Sequence, residues 1–229
     1  MSLTPVSNKL LNALPRADFE VIASQGTVVS FARSTVLCET DDEVDQVVFP
    51  MNGMISLVVV MKSGKAIETA TIGREGVFGA MSVLGIHVSQ VRAIVQHPME
   101  ALRIPAPSFR KLAATRPAII DLAVRYDQTL LSQARITAAC NALHAVEARL
   151  CRWLLQTSDR AQSDTVDLTQ EFLSEMLGVR RTSVTEVAGK LQERGLIRYT
   201  RGSIRISDRD GLKAMACECY EMLRERAPS

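Results

Sequence analysis

The sequence predicts an α+β chain in three parts: an N-terminal β jelly roll over residues 1–116, a long helix over 117–144 and a C-terminal winged helix-turn-helix over 145–229. Three observations carry that prediction. Residues 26–107 form a succession of short β-rich runs divided by turn signals. Beyond Pro117 the stretch to His144 contains neither Pro nor Gly, and its apolar residues recur at helical spacing. Residues 172–191, FLSEMLGVRRTSVTEVAGKL, join an apolar helical pattern to a basic, hydroxyl-rich one through a Gly-Val break.

Near the N-terminus, Leu10 to Ile22 has helical apolar spacing interrupted at Pro15, so it reads as short helical pieces. The runs TVVSF, QVVFP, MISLVVVM, AIETATI, VRAIVQ and EALRIP read as strands, separated by turns such as Asn52-Gly53, Ser63-Gly64-Lys65 and Gly73-Arg74-Glu75-Gly76. GREGVFGAMSVLG is too rich in glycine for a plain strand and reads as a loop carrying a short helix. In the long helix, Ile119, Leu122, Tyr126, Thr129, Gln133, Ile136, Cys140 and Leu143 form one stripe, while Leu130, Leu131, Ala134 and Ala138 fall on other faces. Such a helix is about 40 Å long at 1.5 Å per residue. One stripe serves its own domain, and the other is expected to form a parallel seam with a second copy, with Ile136 in it. The alternative is a core helix covered on both sides by its own chain. Further on, VEARLCRWLLQ, LTQEFLSEML and RRTSVTEVAGKLQERG read as helices, LIRYT-RG-SIRI as a two-strand hairpin, and DRDGLKAMACECYEMLRE as one closing helix.

Composition narrows the function. A hydrophobic content of 47 % supports a true core. Net charge is only +2, but residues 178–205 hold seven basic side chains (Arg180, Arg181, Lys190, Arg194, Arg198, Arg201, Arg205) against Glu186 and Glu193. This local excess of five exceeds that of the whole chain, which is the pattern of a polyanion-binding module attached to something else. No apolar run is long enough to span a membrane and no signal peptide is legible, so a cytoplasmic protein without membrane contact is expected. Cys38, Cys140, Cys151, Cys217 and Cys219 are odd in number and scattered, and read as free thiols. Cys217-x-Cys219 is a weak metal or redox hint and reads as ordinary cysteines. His87, His97 and His144 read as lacking ligand spacing with one another or with any cysteine, so no metal and no cofactor are expected. No paired carboxylates in a glycine-rich context, no Ser-His-Asp set and no phosphate loop point to an enzyme.

With Gly178 in the turn, Leu173 and Leu177 face inward from the first helix, small Ser174 allows close approach, Val179 fills the corner, and Val184 and Val187 face inward from the second. Arg181, Thr182, Ser183, Thr185 and Glu186 are left outward at the end that enters a DNA major groove. Arg180 and Lys190 suit phosphates, and Arg198, Arg201 and Ser203, with Arg205, give the hairpin the character of a backbone-contacting wing.

On these residues the C-terminal part resembles the winged helix-turn-helix of the cyclic-AMP receptor protein and fumarate–nitrate reduction regulator family. VDQVVFPMNGMISLVVVMKSGKAIETATIGREGVFG resembles that family's eight-stranded jelly roll of the cyclic-nucleotide-binding type, and residues 117–144 its dimerisation helix. The resemblance implies a homodimeric bacterial transcription regulator that binds palindromic double-stranded DNA, with RNA polymerase a candidate partner and a small-molecule effector to be identified.

The effector pocket departs from the family's pattern. Where cyclic-nucleotide binders carry F-G-E-[LI]-x-x-L, this chain has Phe78-Gly79-Ala80-Met81-Ser82-Val83-Leu84, with Ala80 in place of the ribose-binding Glu. Where they carry R-[ST]-A-x-V, it has Val91-Arg92-Ala93-Ile94-Val95, with Val91 at the phosphate-binding position and Arg92 one place on, on the other face of a strand. Ala134 and Arg135 stand where the receptor protein offers Thr and Ser to the adenine. Cyclic-AMP binding in the family's manner is therefore not expected. Residues 1–37 lack the cysteines of an iron–sulfur branch, and His87 is a haem-ligand candidate by location only. The alternatives left open are a constitutive DNA-binding protein whose roll is structural, a cyclic-nucleotide-responsive regulator with a rearranged pocket, and an enzyme with a DNA-binding tail.

Overall fold

The computed structural model describes residues 7–200 and 202–226. Two short helices open the chain, α1 (Lys9–Asn12) and α2 (Arg16–Gln25), divided at Pro15 as expected. Asn8 ties them to the β domain. Fully buried, it accepts from the Leu11 amide at 2.9 Å and donates to the carbonyls of Pro50 at 2.8 Å and Gly76 at 2.9 Å. Asn8→Ala leaves three buried backbone groups without that partner, so a loss of about 2–4 kcal/mol is expected, read as a lower midpoint in urea with an unchanged slope.

The β domain has seven strands: β1 (Thr27–Phe31), β2 (Val36–Cys38), β3 (Gln46–Pro50), β4 (Met54–Val60), β5 (Ala66–Ile72), β6 (Arg92–His97) and β7 (Met99–Pro105). They form two antiparallel layers, ordered β1-β7-β3 and β2-β6-β4-β5. β7 is central in the first, with Thr27 opposite Arg103 on one side and Gln46 opposite Pro105 on the other. The described residues thus show seven strands rather than eight, joined by isolated bridges at Glu43–Val88 and Val48–Phe78. The missed strand, β2, is three residues long and half exposed, too short to show a period. The glycine-rich loop carries a 3₁₀ turn at Ala80–Leu84, entered through Gly79 at φ +81°.

After α3 (Ala106–Ala113) comes the long helix α4 (Pro117–Leu143) of 27 residues. The C-terminal part contains α5 (Val146–Ala161), β8 (Thr165–Val166), α6 (Gln170–Leu177), α7 (Arg181–Glu193), β9 (Ile197–Thr200), β10 (Ser203–Ile206), α8 (Arg209–Met215) and α9 (Cys219–Glu225). β8 adds a third strand to the predicted hairpin, giving the order β8-β10-β9. The expected single closing helix is in fact two: Ala216 is extended at ψ 150°, and its amide closes the turn on Lys213. No Pro or Gly marks this break. It places Cys217 and Cys219 in the core beside Ile136, Cys140 and Leu223.

The chain divides into two compact units, one of residues up to 57 and 71–132, the other of 58–70 and 133–226. In the first, α4 packs Ile119, Leu122 and Tyr126 inward, and the Arg116–Asp18 ion pair at 2.6 Å ties its start to α2. Tyr126 lies so close to Gly76 that a Cβ there would fall 1.9 Å from the phenolic oxygen. In the second, Trp153 is buried and donates to Glu68 at 2.9 Å.

One expectation for α4 is overturned. The stripe is covered by its own chain at Ile136 and Cys140, which pack against Cys217, Cys219 and Leu223, while Leu143 at its end is 78 % exposed. The open face is another one, carrying Val124 and Leu131, each 39 % exposed, and exposed Ala138 at seven-residue spacing.

Candidate DNA interface and effector region

The turn between α6 and α7 is built as the sequence required. Thr169 caps α6 by accepting from the Phe172 amide at 3.2 Å, and Gly178 ends it in the left-handed region at φ +63°. The Gly178 amide bonds to Glu175 O at 3.1 Å and that of Val179 to Ser174 O at 3.0 Å, so two carbonyls at the end of α6 find partners as the chain turns. A Cβ on Gly178 would also fall 2.6 Å from Ile67 Cδ1. Leu173, Leu177, Val184, Val187, Ala188 and Leu191 are buried between the helices. Ser174 is buried too, its hydroxyl donating to Glu171 O at 2.6 Å, so the close approach needs no unpaired polar group.

That packing consumes the apolar face of α7 and leaves Arg180, Arg181, Thr182, Thr185, Glu186 and Lys190 exposed, with Ser183 half-buried. Its first turn contains no acidic residue, and Arg180 at the N-cap makes no side-chain capping bond. The N-terminal amides therefore present their positive end outward, suited to an anion. Arg181 stands 3.9 Å from Glu171, a loose exposed pair that leaves its guanidinium available. Glu186 and Lys190 pair at 2.7 Å; the hydrogen bond from Lys190 holds the carboxyl below the usual carboxylate range and raises the amine above its own. Thr185 donates to Gln170 Oε1 at 2.9 Å, linking the starts of the two helices.

The wing adds a second feature. Arg198 and Arg205 are directly opposed across β9 and β10, and both are exposed. Like charges in this register repel unless an anion lies between or above them. Ser203, half-buried, opposes Thr200. Arg201 lies outside the described residues. An open groove runs between the starts of α6 and α7 and the wing, lined by Thr169, Gln170, Arg181, Tyr199 and Gly202. Gln170 and Tyr199 were not among the residues selected from the sequence. The legible signal was position: Gln170 is the first residue of a capped helix, and Tyr199 alternates with Arg198 in a two-faced hairpin.

In the roll, Phe78 and Ala80 are buried and Gly79, Met81, Val91 and Arg92 are half-buried. From Arg92 to Val95 β6 alternates as expected: Ala93 and Val95 are fully buried, while Arg92 lies on the opposite face. Its Nε donates to Glu39 Oε2 at 2.7 Å and its side chain is 38 % exposed. Ala134 is half-buried on α4. His87 Nδ1 lies 3.3 Å from Arg110 Nη1, so its ring faces a cation.

One arrangement contradicts the reading of the histidines. Cys140 and His144 are four residues apart, one helical turn, and Cys217 and Cys219 join them; the four ligand atoms lie within 4.8 Å of one another. The i,i+4 spacing was present in the sequence, but the break between α8 and α9 that completes the group was not. Cys38 and Cys151 stand apart from it as buried free thiols, that of Cys151 pushed up to about 12 by burial.

Comparison with known proteins agrees with this architecture. Residues 28–116 match the cyclic nucleotide-binding domain family and residues 148–215 the Crp-like helix-turn-helix domain family. The chain thus combines a cyclic nucleotide-binding domain with a Crp-like helix-turn-helix domain, the architecture of a DNA-binding transcription regulator of Crp/Fnr type. It is 24 % identical over 188 residues to the global nitrogen regulator of Nostoc sp., covering 78 % of this chain and 84 % of that one. It is 24 % identical over 197 residues to the CRP-like cAMP-activated global transcriptional regulator of Mycobacterium tuberculosis, covering 82 % and 87 %. Among solved structures, a transcriptional regulator of the Crp/Fnr family from Eubacterium rectale superposes with a TM-score of 0.72 at 16 % identity, over 90 % of this chain and 97 % of that one. The c-di-GMP responsive global regulator CLP of Xanthomonas campestris gives 0.69 at 16 % identity, over 84 % and 99 %. The two curated relatives are both named as global regulators. Among the described residues no helix is long and apolar enough to cross a membrane.

Proposed function

We propose that the chain works as a homodimer on a near-palindromic DNA site, with α7 in the major groove, the wing along the phosphates, and an effector other than cyclic AMP bound by the roll. The observation that carries the first part is the outward N-terminal face of α7. Arg181 can fork onto guanine O6 and N7, Thr182, Ser183 and Thr185 can donate or accept, and Glu186 can accept from cytosine N4. Arg180, Lys190, Arg198, Arg201 and Ser203 contact the backbone, and phosphates relieve the Arg198–Arg205 opposition. The open face of α4, with Val124, Leu131 and Ala138 at heptad spacing, supports a parallel seam between two copies. Such a dimer spaces its half-sites about 34 Å, one DNA turn, apart. RNA polymerase is the partner through which a dimer so placed would act, and the cytoplasm is where it would work. Selection of bound sequences from a random duplex pool tests this reading, since it predicts two symmetric half-sites.

The effector reading rests on Ala80, Val91 and the engagement of Arg92 by Glu39. A cyclic phosphate entering the roll would leave water without the charged partner that offsets the cost of its burial. Neither cyclic AMP nor cyclic GMP at millimolar concentration should shift the melting temperature or the DNA affinity. A bound ligand at 100 times its Kd would add about 2.7 kcal/mol and raise the melting temperature by several degrees. A saturable shift lost in Arg92→Ala would show that Arg92 leaves Glu39 for the pocket.

A further inference from the structure

We infer that Cys140, His144, Cys217 and Cys219 form a tetrahedral site for a thiophilic divalent cation, Zn²⁺ above all, which clips the end of α4 to the break between α8 and α9. Two independent observations carry this, and a third agrees with it.

The first is geometry. Cys140 Sγ lies 3.5 Å from Cys217 Sγ, and Cys219 Sγ lies 3.6 Å from His144 Nδ1. With Zn–S of about 2.3 Å and Zn–N of about 2.0 Å, the edges of a tetrahedral site are about 3.5–3.8 Å. Two edges are therefore already at their liganded length. All four ligand atoms fall within 4.8 Å, so closure requires small side-chain movements. Three cysteines and one histidine are also one of the donor sets that structural zinc selects. The backbone holds them from two directions. Cys140 and His144 share a helical turn, and the His144 amide bonds to Cys140 O at 3.1 Å. Cys217 and Cys219 flank Glu218, and the Tyr220 amide closes on Cys217 O at 3.0 Å.

The second is the outer shell. With Nδ1 toward the sulfurs, His144 turns Nε2 to Glu218, whose Oε1 is 3.7 Å away. A metal-bound histidine commonly donates its other ring N–H to a carboxylate, which fixes its tautomer and raises its basicity. Glu218 is thus a positioning residue.

The third is charge. Arg149 and Arg152 are each 5 % exposed, and neither pairs with a carboxylate among the described residues. The Nε of each is buried without a hydrogen-bond partner. Two buried cations need a compensating anion. A divalent ion with three thiolates and a neutral imidazole has net charge −1 and would supply one. Binding is an acid–base exchange without redox change: the cation enters and the three thiol protons leave to solvent.

The test uses the full-length protein purified under reducing conditions without chelator. Elemental analysis should find about one zinc per chain, retained in Cys151→Ser and lost in Cys219→Ser. Chelated protein titrated with Co²⁺ should develop thiolate-to-cobalt charge-transfer bands and the intense visible bands of tetrahedral cobalt, saturating at one equivalent. Glu218→Gln alters an exposed side chain and should fold, yet bind Zn²⁺ about 10–100-fold more weakly in competition with a chromophoric chelator. Wild-type protein that is metal-free as isolated and gives no cobalt bands overturns the inference. So does loss of two thiols to a Cys140–Cys217 disulfide with no metal uptake after reduction, or Zn²⁺ affinity unchanged in both Cys219→Ser and Glu218→Gln.

Discussion

Arg181→Ala should weaken binding to the best operator by about 1–3 kcal/mol per half-site, roughly 5- to 150-fold, and relax preference at one base pair in each half. A dimer carries the change twice, so the full site loses about twice that free energy if the halves are independent. The residue is exposed and its ion pair with Glu171 is loose at 3.9 Å, so the melting temperature should hold. Arg198→Ala is the contrasting variant. It should weaken all sequences alike and lower the salt dependence of binding by about one phosphate unit, because a backbone contact carries no base information.

The second large effect separates two faces of one helix. Leu131→Asp puts a charge on the open face of α4 and should yield folded monomers by light scattering, with operator binding lost over the range where wild-type saturates. Ile136→Asp puts a charge among Cys140, Cys217, Cys219 and Leu223. It should destabilise its own unit by about 4 kcal/mol or more, read as an early unfolding transition. Folded monomers from Ile136→Asp and a folded dimer from Leu131→Asp would return the seam to the stripe first selected from the sequence.

These contrasts show what the sequence made legible. Six of the seven strands of the roll, the helix-turn-helix and the two-strand hairpin of the wing could be read because each has a local cause: alternation, a capping threonine, a glycine that must take positive φ. The length of α4 could be read for the same reason. Which of its faces stays open could not, because an apolar stripe is the same whether its own chain or a second copy covers it. The α8–α9 break has no Pro or Gly to announce it, so Cys217 and Cys219 looked like two positions of a continuous helix. Arg92 shows the converse case. Strand parity alone placed it away from Ala93 and Val95, and the partner it found, Glu39, is 53 residues distant.

The DNA-binding predictions above all depend on a dimer reading DNA through the N-terminal face of α7. The most direct test of that is selection from a random duplex pool by wild-type and Arg181→Ala protein in parallel. Wild-type protein should select a near-palindrome with half-sites about 34 Å apart, and the variant the same spacing with information lost at one symmetric base pair. Identical profiles from the two proteins, or a wild-type profile without two-fold symmetry, would contradict it.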